Sequence, residues 1–178
     1  MADGRDRHEK ARSVNPPVSV HIRPATRADL PGILQIERAA RTAAHWTKED
    51  YERALVDTSP QRVLLVAESA SVPQELFVQG FFVARAVHAA EWEIENVVVA
   101  EPARRLGLGA ALLKAFLERV RAEKSPESVG CDIFLEVRES NIAARRLYEK
   151  SGFVVDRRRE GYYSHPSENA VLYHLLFQ

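Results

Sequence analysis

A strand, a turn and a helix follow one another in VVVAEPARRLGLGAALLKAFLERV, residues 97–120. The turn carries two arginines, Arg104 and Arg105, and two closely spaced glycines, Gly107 and Gly109. The first N–H groups of a helix have no partner within the helix, and glycine lets an anion approach the backbone. These residue types at this spacing predict a phosphate-binding turn; an ordinary glycine-rich helix start is the alternative.

Spacing separates the phosphate-binding families that use such a turn. A nucleotide-binding P-loop needs Gly-Lys-Ser or Gly-Lys-Thr, whereas Ala110 and Ala111 follow Gly109. A dinucleotide-binding fingerprint needs Gly or Ala three residues beyond its second glycine, where this chain has Leu112. The spacing therefore excludes an ordinary NTPase and argues against a dinucleotide site.

Hydrophobic periodicity predicts the elements that position this turn. Their order indicates one mixed α/β domain over residues 18–178, preceded by a flexible tail at 1–17. The polar segment 159–169 is predicted as a loop between the last two strands. Strands are predicted at 18–25, 62–69, 75–87, 91–100, 132–139, 153–158 and 170–177, and helices at 26–40, 46–55, 107–123 and 140–152. The inward stripe of the third helix is predicted as Leu108, Leu112, Ala115, Phe116 and Val120.

Composition limits the function classes. The 178 residues include 25 Lys plus Arg and 25 Asp plus Glu, so no net charge attracts the chain to nucleic acid or a membrane surface. No apolar run approaches the length of a membrane span, and the six histidines lack metal-ligand spacing, so we expect no membrane and no metal. The one cysteine, Cys131, is predicted to pack at a strand start. We expect a cytoplasmic protein, a monomer or weak dimer.

Several segments together resemble one family. Arg104, Gly107 and Gly109 fit Arg/Gln-x-x-Gly-x-Gly/Ala, the acetyl-CoA pyrophosphate loop of the GCN5-related N-acetyltransferase (GNAT) family. FLEVRESNIAARRLYEKSGF (134–153) resembles the second half of that fold. EWEIENVVV and REGYY resemble its RimI-type branch, which acetylates the first residue of a ribosomal protein. The resemblance covers about residues 18–177 and implies a mostly antiparallel seven-stranded sheet with about four helices, and acetyl-CoA as co-substrate.

Glu136 is the candidate general base. It projects from the strand face opposite Ile133, Leu135 and Val137 and is able to take a proton directly or through one water. The matching glutamate has this role in RimI-type enzymes. An α-amino group, with a pKa near 7.7 to 8.0, needs only a modest base. The alternative is a structural pair between Glu136 and Arg138 on the same face.

Tyr148 is the candidate general acid. It lies seven residues after Asn141, so the two share a helix face and can contact different parts of one extended ligand. The resemblance places Tyr148 at the departing sulfur and Asn141 on the pantetheine arm. The alternative for Tyr148 is an aromatic that packs on the sheet.

The resemblance assigns further site residues. The fourth strand would splay from its neighbour and pair its backbone with pantetheine, and three aromatic residues would line the peptide cleft. Exposed loop positions for the tyrosine pair and core packing for the tryptophan are the alternatives. The cofactor-binding candidates are Val97, Val98, Val99, Arg104, Arg105, Leu106, Gly107, Leu108, Gly109, Ala110 and Asn141, and the peptide-binding candidates are Trp46, Tyr162 and Tyr163.

The leading hypothesis is therefore acetyl transfer from acetyl-CoA to the α-amino group of a protein N terminus. The RimI-type resemblance implies a ribosomal protein that begins with Ala or Ser, acetylated by direct attack on the thioester. Two alternatives stay open: an enzyme for a lysine side chain or a small amine, and a catalytically silent acyl-CoA-binding module.

Overall fold

The computed structural model describes residues 20–56, 59–69, 78–123 and 130–177. The predicted tail at 1–17 and nearly all of the loop at 123–130 lie outside the described residues. Within the described residues, seven strands and four α-helices follow in the predicted order: β1 (Val20–Pro24), α1 (Leu30–Ala39), α2 (Lys48–Val56), β2 (Arg62–Ser69), β3 (Gly80–His88), β4 (Glu91–Val99), α3 (Leu108–Glu123), β5 (Cys131–Arg138), α4 (Ile142–Lys150), β6 (Val154–Ser164) and β7 (Ser167–Phe177).

The strands form one sheet in the order β1-β2-β3-β4-β5-β7-β6. Neighbouring strands are antiparallel except β4 and β5, which run parallel. A parallel pair needs a crossover connection, which α3 supplies between β4 and β5. The prediction of a mixed, mostly antiparallel seven-stranded sheet with four helices is confirmed.

Helices cover both faces of the sheet. On β3, Phe82 packs against Phe116 of α3, with ring centroids 4.8 Å apart. The neighbouring Phe81 packs edge-to-face on Tyr51 of α2 at 5.6 Å. Successive residues of a strand point to opposite faces, so α2 and α3 lie on opposite sides of the sheet. Residues 63–67 of β2 and 80–84 of β3 are buried on both faces of the sheet, which explains the continuous apolar runs there.

Most of the predicted core positions are buried. In α3, Leu108, Leu112, Phe116 and Val120 are buried as predicted, whereas Ala115 is only half-buried. Leu113 is also fully buried in this helix, and the sequence pattern did not predict it. Cys131 is buried at the first position of β5, as predicted.

Three predicted boundaries are wrong. β3 begins at Gly80 rather than at residue 75; Val78 and Gln79 precede it, and 75–77 lie outside the described residues. The first helix segment is a short 3₁₀ turn at 27–29 followed by α1. Residues 159–169 are not a loop, because β6 and β7 extend into a hairpin whose register pairs Ser164 with Ser167. β6 is an exposed edge strand, so its sequence lacks the hydrophobic alternation that identifies half-buried strands.

A buried carboxylate joins β1 to the start of α1. Asp29 is 6% exposed and accepts two hydrogen bonds from the Arg23 guanidinium, at 2.7 and 2.8 Å. The backbone N–H of Thr26 donates a third at 2.7 Å. The hydrogen bonds from Arg23, assisted by those from Thr26, lower the pKa of Asp29 to about 2. The ionised carboxylate therefore stabilises the fold.

We predict that wild-type stability falls more steeply than that of Asp29→Asn as the pH drops from about 4 to about 2. A depressed pKa gives stability that is present above the unfolded value of 3.8 and lost as pH falls through the folded value. The shift corresponds to about 2 kcal/mol. Denaturant unfolding at several pH values measures it, with Glu118→Gln on the exposed face of α3 as control. Parallel pH profiles for wild type and Asp29→Asn would contradict the prediction.

Candidate active site

The parallel strands β4 and β5 separate part-way along the sheet. Their ladder runs from Glu91–Asp132 to Ile94–Leu135 and ends there. Beyond this point β4 remains paired to β3 as far as Val99, and β5 remains paired to β7 as far as Arg138. The two strands thus diverge into a gap with one wall at 97–99 and the other at 136–138.

An extra residue in β4 accounts for the divergence. Asn96 pairs with Val83, and Ile94 pairs with Ala84, so Glu95 is a bulge residue opposite β3. A bulge bends its strand and increases the local twist, which directs the end of β4 away from β5. The Glu95 carboxylate is held on the sheet by ion pairs to Arg62 at 3.1 Å and Arg85 at 3.4 Å.

The glycine-arginine turn lies directly after the end of β4. Arg105 and Gly107 have φ values of 64° and 87°, in the left-handed region. A Cβ atom at Gly107 would meet nothing within 4 Å, so the backbone there borders open space. The exposed Arg104 donates from Nε to the carbonyl of Val99 at 3.4 Å, which ties the turn to the gap.

The same turn starts α3, whose first helical hydrogen bond runs from Ala111 N to the carbonyl of Gly107. The N–H groups that precede this bond are the ones a helix leaves without an internal acceptor. Gly109 has a different role from Gly107, since a Cβ there would lie 3.3 Å from Leu147 of α4. The turn therefore leaves room for a phosphate group at Gly107, and it allows α3 to pack closely against α4 at Gly109. The other predicted contacts, Leu106, Leu108 and Ala110, belong to the same segment, in which the side chain of Leu108 is buried.

Glu136 lies on the wall of the gap that β5 supplies. Its side chain is 22% exposed and forms an ion pair with Arg159 of β6, with Oε1 2.7 Å from Nη1. A hydrogen bond to Glu136 is the main cause that raises the pKa of Tyr162. The alternative pair with Arg138 is not formed, because the Arg138 guanidinium bonds to Glu168 and stacks 4.0 Å above the Tyr163 ring.

Tyr148 lies on the side of α4 that packs on β7 and is 6% exposed. Its ring contacts Phe153 at 5.7 Å and Tyr173 at 6.2 Å, so it does pack on the sheet. Burial, and secondarily the electrostatic influence of Tyr163, raise the pKa of the Tyr148 phenol. Tyr148 is therefore protonated at neutral pH and available as a hydrogen-bond donor.

Asn141 is the residue that caps α4 at its N terminus. Its Oδ1 accepts from the N–H of Ala144 at 3.2 Å, and its Nδ2 donates to Thr42 Oγ1 at 3.3 Å. The second bond links α4 to the segment between α1 and α2. The prediction that Asn141 contacts the pantetheine arm stays a prediction.

The three predicted peptide-binding aromatics have different environments. Tyr162 and Tyr163 contact each other edge-to-face at 5.1 Å on the β6–β7 hairpin, and Tyr162 is 49% exposed. Trp46 is half-buried, packs on Tyr51 at 5.3 Å and has the Arg62 guanidinium 5.9 Å from its ring. The tyrosine pair lies beside Glu136, whereas Trp46 is partly a core residue.

A groove of about 260 Å³ leads to Glu136 along the sheet. Its lining includes Phe134, Leu172 and Arg159 together with Glu93 of β4. Apolar and charged side chains thus both line this groove, and the candidate base Glu136 is one of them.

In residues 20–56, 59–69, 78–123 and 130–177, no group of three or more His, Cys, Asp or Glu side chains is placed to hold a metal ion. Across those same ranges, no helix is both long enough and apolar enough to cross a membrane.

A model of the acetyltransferase (GNAT) family matches residues 30–153, which is most of the chain. The chain belongs to the acetyltransferase (GNAT) family. This confirms the family predicted from Arg104, Gly107 and Gly109 and from the segment 134–153. The matched span includes the diverging strands, the glycine-arginine turn, Glu136 and Tyr148.

Individual GNAT relatives are similar to this chain over part of its length or at low sequence identity. An N-alpha-acetyltransferase from Sulfurisphaera tokodaii is 37% identical over 79 residues, and the match spans only 44% of this chain and 44% of that relative. The ribosomal-protein-S18-alanine N-acetyltransferase from Escherichia coli has a TM-score of 0.71 and 24% identity, over 90% of this chain and 95% of that chain. Arabidopsis thaliana NAA60 in complex with acetyl-CoA has a TM-score of 0.73 and 20% identity, over 89% and 98%. These two structures share the fold.

The sequence pattern places Glu37 with the apolar residues of α1, but it does not reveal the buried network that this carboxylate forms beside the gap of this GNAT domain. Glu37 of α1 is 1% exposed, and its Oε1 accepts from Tyr51 Oη at 2.7 Å, Asn96 Nδ2 at 2.8 Å and Trp46 N at 3.1 Å. These bonds fasten α1, the segment before α2, and α2 itself to β4 next to the site strand. Glu37 lies on the apolar stripe of α1, and a charged residue on such a stripe signals a buried polar network.

We predict that Glu37→Ala lowers the free energy of unfolding by about 3 kcal/mol, because three buried donors lose their acceptor. Glu37→Gln keeps one acceptor oxygen and should lose less. Urea unfolding followed by circular dichroism measures both, with the exposed Glu52→Ala on α2 as control. A loss for Glu37→Ala no larger than that of the control would show that the network does not hold these elements together.

Proposed function

We propose that this GNAT protein is an acetyl-CoA-dependent N-acetyltransferase of the RimI type, acting on the α-amino group of a protein N terminus. The observation that carries the proposal is the position of Glu136. Its carboxylate lies where β4 and β5 diverge, on the wall of the groove and beside the tyrosine pair of the β6–β7 hairpin. A base at that position can contact the α-amino group of a substrate peptide that lies in the groove.

Acetyl-CoA, when bound, supplies an acetyl group activated as a thioester. The residues at the gap are suited to the pantetheine arm and to the phosphates of acetyl-CoA. The backbone at 97–99, beyond the end of the β4–β5 ladder, would pair with the amide groups of the pantetheine arm. The open backbone at Gly107 and the exposed Arg104 and Arg105 would hold the phosphates.

Glu136 takes the proton that the attacking amine must lose. Because an α-amino group has a pKa near 7.7 to 8.0, roughly a tenth of it is neutral at pH 7. A lysine, with a pKa near 10.4, has under about one part in a thousand neutral. A carboxylate is a weak base, so this site favours an N terminus over a lysine side chain.

Tyr148 supplies the proton that the leaving thiolate needs. The buried phenol is protonated at neutral pH, and its ring packs against Phe153 and Tyr173. A hydrogen bond from Oη stabilises negative charge on sulfur even before the proton moves. Tyr148 and Glu136 thus divide the acid and base roles.

The relatives support the choice of substrate. The Sulfurisphaera tokodaii relative is named an N-alpha-acetyltransferase, and the Escherichia coli structure is an enzyme for alanine of ribosomal protein S18. We therefore propose a ribosomal protein beginning with Ala or Ser as the substrate class.

We predict that Glu136→Gln lowers turnover of an Ala-initiated peptide by about 10² or more, because the amide accepts no proton. Thiol release from acetyl-CoA measures the rate, and mass spectrometry of the product locates the acetyl group. The control is Asp132→Asn, which removes another carboxylate from the same face of β5. The Asp132 carboxylate pairs with His174 at 2.6 Å and not with Arg159. The panel contains Ala-, Ser- and Met-initiated peptides and one N-blocked lysine peptide.

Acetylation at the α-nitrogen, lost in Glu136→Gln and kept in Asp132→Asn, is the expected result. Modification of the lysine peptide alone would replace the proposal with a side-chain acetyltransferase. Bound CoA without turnover of any peptide would leave a small-molecule enzyme or a silent acyl-CoA-binding module.

A further inference from the structure

The carboxylate assigned as the base is already in contact with a cation. Arg159 of β6 lies 2.7 Å from Glu136, and the same carboxylate raises the pKa of the neighbouring Tyr162 hydroxyl. The Arg159 guanidinium also lies 5.4 Å from the Tyr162 ring. Glu136 is thus covered from the β6 side by one arginine and one tyrosine.

A substrate amine has to compete with this arginine. An incoming N terminus is largely an ammonium ion at neutral pH and approaches the same carboxylate. When the amine occupies Glu136, Arg159 loses its ion-pair partner while remaining on the groove wall. Arg85, which also lines the groove, keeps its own partners, Glu93 at 2.6 Å and Glu95 at 3.4 Å. The cation released by substrate binding is therefore Arg159.

A released guanidinium favours a substrate that brings its own carboxylate. Arg159 is 43% exposed, so a carboxylate from the solvent side can reach it. A guanidinium forms paired hydrogen bonds with a carboxylate, and this geometry suits an acidic side chain in an extended peptide. One extended residue spans about 3.5 Å, which places the second and third residues of a peptide within reach of a group beside Glu136.

We propose that Arg159 determines specificity by binding an acidic side chain at the second position of the substrate, in exchange for its ion pair with Glu136. The inference rests on the proposed function, because it takes Glu136 as the group that receives the N-terminal amine. The substrate class becomes protein N termini with a small first residue followed by Asp or Glu.

The test compares three peptides that differ only at the second residue, Ala-Glu, Ala-Gln and Ala-Lys, with wild type, Arg159→Gln and Arg158→Gln. Arg158 is the matched control, because it is the adjacent arginine of β6 and its guanidinium pairs with Glu139 at 3.4 Å instead of Glu136. The readout is the ratio of kcat/KM values for Ala-Glu and Ala-Gln, so a general loss of activity cancels.

We expect wild type to prefer Ala-Glu over Ala-Gln by about fivefold, mainly through KM, as suits a partly exposed ion pair. In Arg159→Gln the ratio should fall to about one, and in Arg158→Gln it should stay near fivefold. Arg159→Lys should keep part of the preference, because it retains the charge without the paired hydrogen bonds.

Turnover without a preference for Ala-Glu, or a preference that persists in Arg159→Gln, would overturn the role of Arg159 and leave the N-terminal acetyltransferase proposal standing. No turnover of any of the three peptides by wild type would overturn the proposed function and this inference with it.

Discussion

The divergence of β4 from β5 is the constraint on which the candidate site depends. A parallel pair that stayed hydrogen-bonded to its end would leave no path through the sheet, whereas this ladder stops at Ile94 and Leu135. The bulge at Glu95 bends β4, and the pairings of β4 with β3 and of β5 with β7 keep both walls rigid. One extra residue in one strand therefore creates a gap that opens toward the glycine-arginine turn on one side and the groove on the other.

Charge is distributed around this gap in a way that matches the proposed chemistry. The exposed Arg104 and Arg105 lie at the end of the gap where we propose that the phosphates bind. At the opposite end, Glu136 pairs with Arg159, while buried Tyr148 stays protonated. The proposed acid and the proposed base thus differ in surroundings, because the phenol is packed among aromatic rings and the carboxylate lines a groove with charged side chains.

Local sequence signals predicted most of the fold, because each helix and most strands bury one face and carry the matching period. The 159–169 hairpin was missed because an exposed edge strand has no apolar face to reveal it. Leu113 was missed because the buried surface of α3 is broader than a single stripe of residues. Site residues next to a motif were predictable. The contacts of Glu37 and the Arg159–Glu136 pair were not, because they join residues far apart in the chain through tertiary packing.

The most direct test of this account is amide hydrogen exchange of the full chain with and without CoA, resolved by residue. Binding in the gap predicts slower exchange at the backbone of 97–99 and at 107–110, where the diverging strand and the helix start would contact the ligand. A second groove lies at the other end of the sheet, near Gln61 and Ala89. Protection confined to that groove, or no change at 97–99 while CoA is bound, would contradict the claim that the separated strands form the cofactor site.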